Sequence, residues 1–167
     1  MKLPDGRRFD KVPLMTDAAP SSPSNPTPEK RALWFITFAE NQVSDLLPYV
    51  TGEIGIESPA VEVACTESFV LNVRLIIDFL TRGNPKRDIT AASFTPGWSP
   101  EPALKKRLDS WFALASQHAM HLSRERVPDN VEDVGVVTPE DYRQMAADCS
   151  AALASFREAQ GATIGRP

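Results

Sequence analysis

A Ser/Thr-Pro dipeptide stands ahead of each of four long apolar-periodic segments: Thr27-Pro28, Ser58-Pro59, Ser99-Pro100 and Thr138-Pro139. A serine or threonine in this place caps the free amides of a helix start. A proline at the first helical position loses no hydrogen bond, because an amide there has no intrahelical partner. Four such starts predict four main helices. With no strand pair and no internal repeat between them, the expected fold is all-α, a four-helix up-and-down bundle.

Read forward from these starts, the first helix is expected over Pro28 to Val50, with Trp34, Phe35, Phe38, Val43, Leu46 and Leu47 as its apolar content and Pro48 as a kink or an early end. The second is expected over Pro59 to Arg82, with Phe69, Val70, Val73, Ile76, Ile77 and Leu80 on one broad face and a stop at Gly83-Asn84-Pro85. The third, Pro100 to Arg124, repeats Leu104, Leu108, Trp111, Phe112, Ala115, Ala119 and Leu122 at helical spacing. The fourth, Pro139 to Ala159, does the same with Tyr142, Met145, Ala146, Cys149, Ala152, Leu153 and Phe156, and its first-turn Glu140 and Asp141 suit the helix dipole. A short helical turn is expected within Asp88 to Phe94.

These limits divide the chain into a Pro-rich disordered or extended tail (1–27), a helical bundle domain (28–160) and a flexible C-terminus (161–167). Val12 to Pro28 is rich in Pro, Ser, Asn and Thr. The 42% hydrophobic content of 167 residues is enough for one core, and the net charge of -4 argues against a dedicated duplex nucleic-acid binder. Cys65 and Cys149 lie inside apolar helical patterns without a CxxC partner, which favours free buried thiols over a disulfide. No run approaches the roughly 18 apolar residues of a membrane span, and no apolar segment follows the basic N-terminus, so a cytoplasmic protein without membrane contact is expected.

Chemistry near neutral pH points to Ser116 to Arg126, which holds both histidines. His118 follows Trp111 and Ala115 at the edge of the core stripe and reads as structural. His121 lies on the flank with Leu114 and Arg107 and is the better functional candidate. Two histidines at i,i+3 with only Glu125 beyond them fall short of a zinc site, and neither metal nor cofactor is expected. Arg124 and Arg126 either neutralise the helix C-terminus or hold a phosphate. On the second helix, Glu67, Leu71, Arg74 and Asp78 form a narrow stripe opposite the apolar face. It is either a solvated stripe with an Arg74–Asp78 i,i+4 pair or a surface turned to another helix or a partner subunit. No P-loop, GxGxxG, HExxH or nucleophile elbow occurs.

The stretch Glu67 to Leu80, then Asp88 to Phe94, then His121-Leu122-Ser123-Arg124-Glu125-Arg126 resembles a family of uncharacterised bacterial helical proteins with an ES-x-L-x-x-x-R-x-L-x-D-F helix and a later A-H-L-x-x-x-R helix end. More remotely, a polar residue shortly before a histidine on a late helix resembles the HEPN superfamily, whose members are often dimeric, metal-independent ribonucleases of toxin–antitoxin and antiphage systems. Gln117 and His121 match the polar residue and the histidine, whereas Ser116 stands where that signature has arginine. The resemblance implies a homodimer and two readings. The first is a non-catalytic interaction or regulatory module, defence-related, with a protein partner. The second is a metal-independent endoribonuclease in which His121 serves as general acid/base and Arg74 or Arg124 holds the phosphate, with Gln117 and His118 supporting and Trp98 and Trp111 as base-stacking candidates. The missing arginine and the acidic balance favour the first.

Overall fold

The computed structural model describes residues 25–84, 86–120 and 137–164, without the side chains of 117–120 and 163–164. Among the described residues every regular element is helical: α1 (Pro28–Val50), α2 (Pro59–Ile77), α3 (Ala91–Phe94), α4 (Pro102–Met120) and α5 (Pro139–Ile164), with a π-helical turn, Asp78–Arg82, prolonging α2. α2 is the hub: it packs along α1 and against α4 and α5, while α5 also meets α1 and α4.

The proline-led starts hold, with differences in the capping. Thr27 accepts from the Lys30 amide at 3.4 Å, and Thr138 and Asp141 cap α5 reciprocally: the Asp141 carboxylate accepts from the Thr138 amide at 2.8 Å and the Thr138 hydroxyl accepts from the Asp141 amide at 3.2 Å. The Thr138 hydroxyl, which also donates to that carboxylate at 2.6 Å, and then the Thr138 amide hold the Asp141 carboxyl below the usual range. The Ser58 hydroxyl makes no cap bond, and α2 starts on its carbonyl alone. α4 begins at Pro102 rather than Pro100, because Glu101 takes the cap, its carboxylate accepting from the Ala103 and Leu104 amides at 3.0 Å each. Pro48 neither ends α1 nor shortens it. It falls in the last turn, and the helix closes at Thr51 and Gly52, where the glycine takes a φ of 76°. α5 runs through Gly161 to Ile164, past the expected end at Ala159 and across the domain limit placed at residue 160.

The α2 face expected from the sequence is the core: Phe69, Val70, Val73, Ile76, Ile77 and Leu80 are all buried. From α5, Tyr142, Met145, Cys149, Ala152, Leu153 and Phe156 meet it, and α4 adds Leu108 and Ala115. Phe156 is a hub of edge-on aromatic contacts, 5.5 Å from Phe79, 5.3 Å from Trp98 and 6.2 Å from Phe94. α1 departs from the expectation: its core residues are Ile36, Ala39 and Val43, while Trp34, Phe35 and Phe38 lie on the surface. The helix carries two apolar stripes, and only one can face α2 and α5.

Where the π turn ends, the Gly83 amide donates to the Asp78 carbonyl at 2.8 Å, and the chain passes so close to Thr90 that a Cβ at residue 83 would stand 2.4 Å from Thr90 Cγ2. Gly83→Ala should therefore destabilise the fold by about 1–3 kcal/mol by overpacking. Thr90→Ser deletes the opposing methyl, so the double variant should recover most of the loss in urea denaturation; simple additivity of the two changes would refute the clash.

Candidate functional site

The most elaborate polar cluster joins α4 to α5. Asp148 lies in the apolar stripe of α5 between Met145 and Ala152 and is 3% exposed. An ionised carboxylate in that position needs partners, and α4 supplies them one turn apart. Arg107 donates through Nε at 3.0 Å to one oxygen and through Nη2 at 3.0 Å to the other, and Trp111 donates its indole N–H at 2.9 Å. Gln144, one turn earlier on α5, adds an amide at 3.1 Å. Burial pushes the Asp148 carboxyl up, but the bonds from Arg107, Trp111 and Gln144 together outweigh it and leave it below its usual range. The Arg107 guanidinium is held more firmly protonated by the same carboxylate. With both oxygens engaged by donors, Asp148 has no lone pair to offer as a base. The group fixes two helices rather than performing chemistry.

Nor does the neighbouring thiol. Burial, then the Asp148 and Glu40 carboxylates, push Cys149 up to about 12, so it stays a thiol at neutral pH. Both cysteines are free, Cys149 buried and Cys65 half-buried, which excludes a disulfide between them. Among the described residues no group of three or more His, Cys, Asp or Glu side chains could hold a metal ion, and no helix is long and apolar enough to cross a membrane.

The residues singled out from the sequence fall into two groups. His121 and Arg124 lie outside the described residues; Gln117 and His118 occupy α4, but their side chains are not described. On α2, Glu67, Leu71 and Asp78 are exposed and Arg74 is half-buried. Arg74 and Asp78 line one shallow groove of about 380 Å³ without pairing with each other. The Arg74 guanidinium instead crosses to α4 and stands over the Phe112 ring, 5.2 Å from its centre, with its Nε buried and unpartnered. Position 118 is six residues farther along α4, roughly 9 Å of helix rise. Trp111, expected in the core or on a nucleic-acid face, is half-buried with its N–H committed to Asp148, and Trp98 packs on Phe156.

The outer face of α1 carries a contiguous group of exposed aromatic side chains. Trp34 is 63% exposed, Phe35 54% and Phe38 48%, and Trp34 lies edge-on to Phe35 at 5.0 Å and stacks on Phe38 at 5.9 Å. Leu71 and Leu75 of α2 are exposed as well, and a groove of about 440 Å³ runs between Phe35, Leu75 and Ile89. Scattered apolar side chains on a surface are ordinary, whereas a contiguous aromatic group is a mark of contact with a partner. Compared with protein-family models, with curated proteins and with solved structures, the chain finds no match in any of the three.

Asp148 was missed in the sequence, though a signal was there: an acid at the i+3 position of a stripe reading Met145, Cys149, Ala152 should be paired, and Arg107 and Trp111 on α4 are the right donors. Removing Arg107 strands a buried carboxylate, whereas removing the acid strands only a half-exposed cation. Arg107→Leu should therefore cost about 2–4 kcal/mol and Asp148→Asn less, about 1–2 kcal/mol. The folded carboxyl titrates below its unfolded value, so the wild type keeps this contribution above the ordinary aspartate value of about 3.9 and loses it as pH falls through the lower folded value. Urea melts between pH 2 and 7 should show a shallower acid limb in Asp148→Asn. An equal slope would mean that the carboxylate is not held ionised.

Proposed function

We propose that this chain is a HEPN-like, four-helix up-and-down bundle that works in the cytoplasm as a non-catalytic interaction or regulatory module of defence-related type, and that it does so as a homodimer. The observation that carries this reading is the uncovered aromatic face of α1. Fully burying a large apolar side chain is worth about 1.5–3 kcal/mol, so three exposed aromatics beside Leu71 and Leu75 amount to a strong incentive for contact.

The occupant that suits this face is a second copy. Arg31, Phe38 and Asp45 are seven residues apart and share one side of α1, all exposed. A two-fold axis at Phe38 sets Arg31 against Asp45 of the partner subunit at both ends, with the aromatics between them. A self-complementary stripe of this kind is what an isologous interface needs. Asp45 has no ion-pair partner within its own chain among the described residues, and the Arg31 guanidinium donates to the Pro26 carbonyl at 3.0 Å and lies in the field of Glu29.

Sedimentation of the full chain should give a dimer at micromolar concentration. Phe38→Asp should give a folded monomer, Arg31→Asp and Asp45→Arg should each weaken association about tenfold, and the double charge swap should restore it. A wild type that stays monomeric to about 100 μM, or a swap that fails to rescue, would remove the second copy as occupant.

A second reading, the metal-independent endoribonuclease with His121 and Arg74 or Arg124, is favoured by one observation: the Arg74 Nε is buried without a partner, as a phosphate-holding group would be before its ligand arrives. RNA cleavage in EDTA, lost in His121→Ala and Arg74→Ala variants that keep their helicity, would establish it in place of the binding module.

A further inference from the structure

Beside the π-helical turn lies a small, half-open pocket of about 200 Å³ between the turn's own residues, α3, the 95–99 loop and the start of α4. A single turn of π-helix is uncommon in a soluble helix and is often found beside a functional site. At roughly 30 Å³ per water the space takes six or seven waters, or one small organic molecule. Its apolar walls include Phe79, Leu80 and Trp98; beside Thr81 and Ser99, its polar groups are Arg82, Lys105 and Thr90.

Two features of these polar groups point the same way. Arg82 and Lys105 share one carboxylate: Arg82 Nη1 donates to one oxygen of Asp109 at 3.3 Å and Lys105 Nζ to the other at 2.8 Å. Two cations against one anion leave a net positive charge at the pocket. The Arg82 guanidinium also lies on the Phe112 ring, 4.3 Å from its centre, which fixes its plane. The second feature is Thr90, which is 4% exposed. It caps α3 with Ser93, whose hydroxyl accepts from the Thr90 amide at 3.1 Å. The Ser93 amide returns to Thr90, 2.9 Å from its carbonyl and in a capping box with its side chain, and the Thr90 hydroxyl proton finds no acceptor. A buried hydroxyl proton without an acceptor is costly, and the pocket that Thr90 lines is where an acceptor can come from.

We infer that this pocket binds a small organic oxyanion, a carboxylate or phosphate head on a flat apolar body. The head lies between Arg82 and Lys105, the body between Phe79 and Trp98, and the Thr90 hydroxyl donates to the ligand. None of these groups belongs to the aromatic face of α1, so the inference is independent of self-association.

Titration calorimetry of the full chain with phenyl phosphate and with benzoate tests it, with inorganic phosphate and benzyl alcohol presenting head and body alone. At least one aryl anion should bind, and more tightly than either half; whichever wins identifies the head. Arg82→Gln with Lys105→Gln should weaken binding tenfold or more, and Thr90→Val roughly three- to tenfold. Ala92 is exposed and lines the pocket, so Ala92→Trp should block binding with the helicity and urea midpoint unchanged, which keeps the test valid if the charge variants fold poorly. Absence of binding by both aryl anions, or binding unaltered in Ala92→Trp, would overturn the assignment.

Discussion

The pairing of Asp148 with Arg107 and Trp111 governs how α4 sits. A carboxylate in the core stripe of α5 is tolerable only if donors come to it, and the donors sit at i and i+4 of α4. That requirement sets the rotation of α4 about its own axis. With Arg107 and Trp111 turned to α5, Leu108 and Ala115 enter the core and Phe112 faces the end of α2. Phe112 then becomes the platform for both Arg74 and Arg82, 5.2 and 4.3 Å from its ring centre. The position of the cation at the π-turn pocket is thus a remote consequence of one buried acid. Apolar packing alone would leave that rotation loosely defined, since Leu104, Leu108, Trp111, Phe112 and Ala115 span a wide arc.

α1 shows the complementary case, where apolar content exceeds what the core can accept. Ile36, Ala39 and Val43 follow one stripe and meet α2 and α5. The ion pair of Arg157 with Glu40 joins α5 to α1 beside that stripe and holds the same rotation. Trp34, Phe35 and Phe38 then face away from the protein's own interior. A helix that needed only to cover this core would place polar residues there, as α5 does with Glu158 and α4 with Lys106. The outer face of α1 instead keeps its aromatic side chains exposed.

The helical class of the chain and the starts of α1, α2 and α5 were legible because proline after serine or threonine reports a helix start through local geometry alone. The broad apolar face of α2 and the stripe of α5 were legible for a similar reason: buried on two sides, they carry no competing pattern. α1 misled because two apolar stripes satisfy helical spacing equally well and only tertiary contact chooses between them. The α4 start slipped by two residues because Ser99-Pro100-Glu101-Pro102 offers two cap-and-proline registers, and a glutamate reaching the next two amides prevails over the serine. The π turn left no trace in the pattern, since Asp78 to Arg82 continues the helical spacing. It follows from Gly83, whose missing Cβ lets the chain pass Thr90. The stripe of Glu67, Arg74 and Asp78 was found, but spacing could not reveal that Arg74 would leave Asp78 for the ring of Phe112.

The distribution of unsatisfied polar groups bears on binding against turnover. Catalysis by proton transfer needs a base with a free lone pair and a pKa near the working pH. Among the described residues the buried carboxylate, Asp148, is closed off by its donors, and the buried thiol, Cys149, is held protonated. The capacity left over is of another kind: the Arg74 Nε, the Thr90, Thr95 and Ser116 hydroxyls, and the two cations that share Asp109. These groups donate hydrogen bonds or carry positive charge, and they can hold an anion without activating it. In the ribonuclease reading, a phosphate held by Arg74 would have to span the roughly 9 Å of α4 that separate Phe112 from position 118.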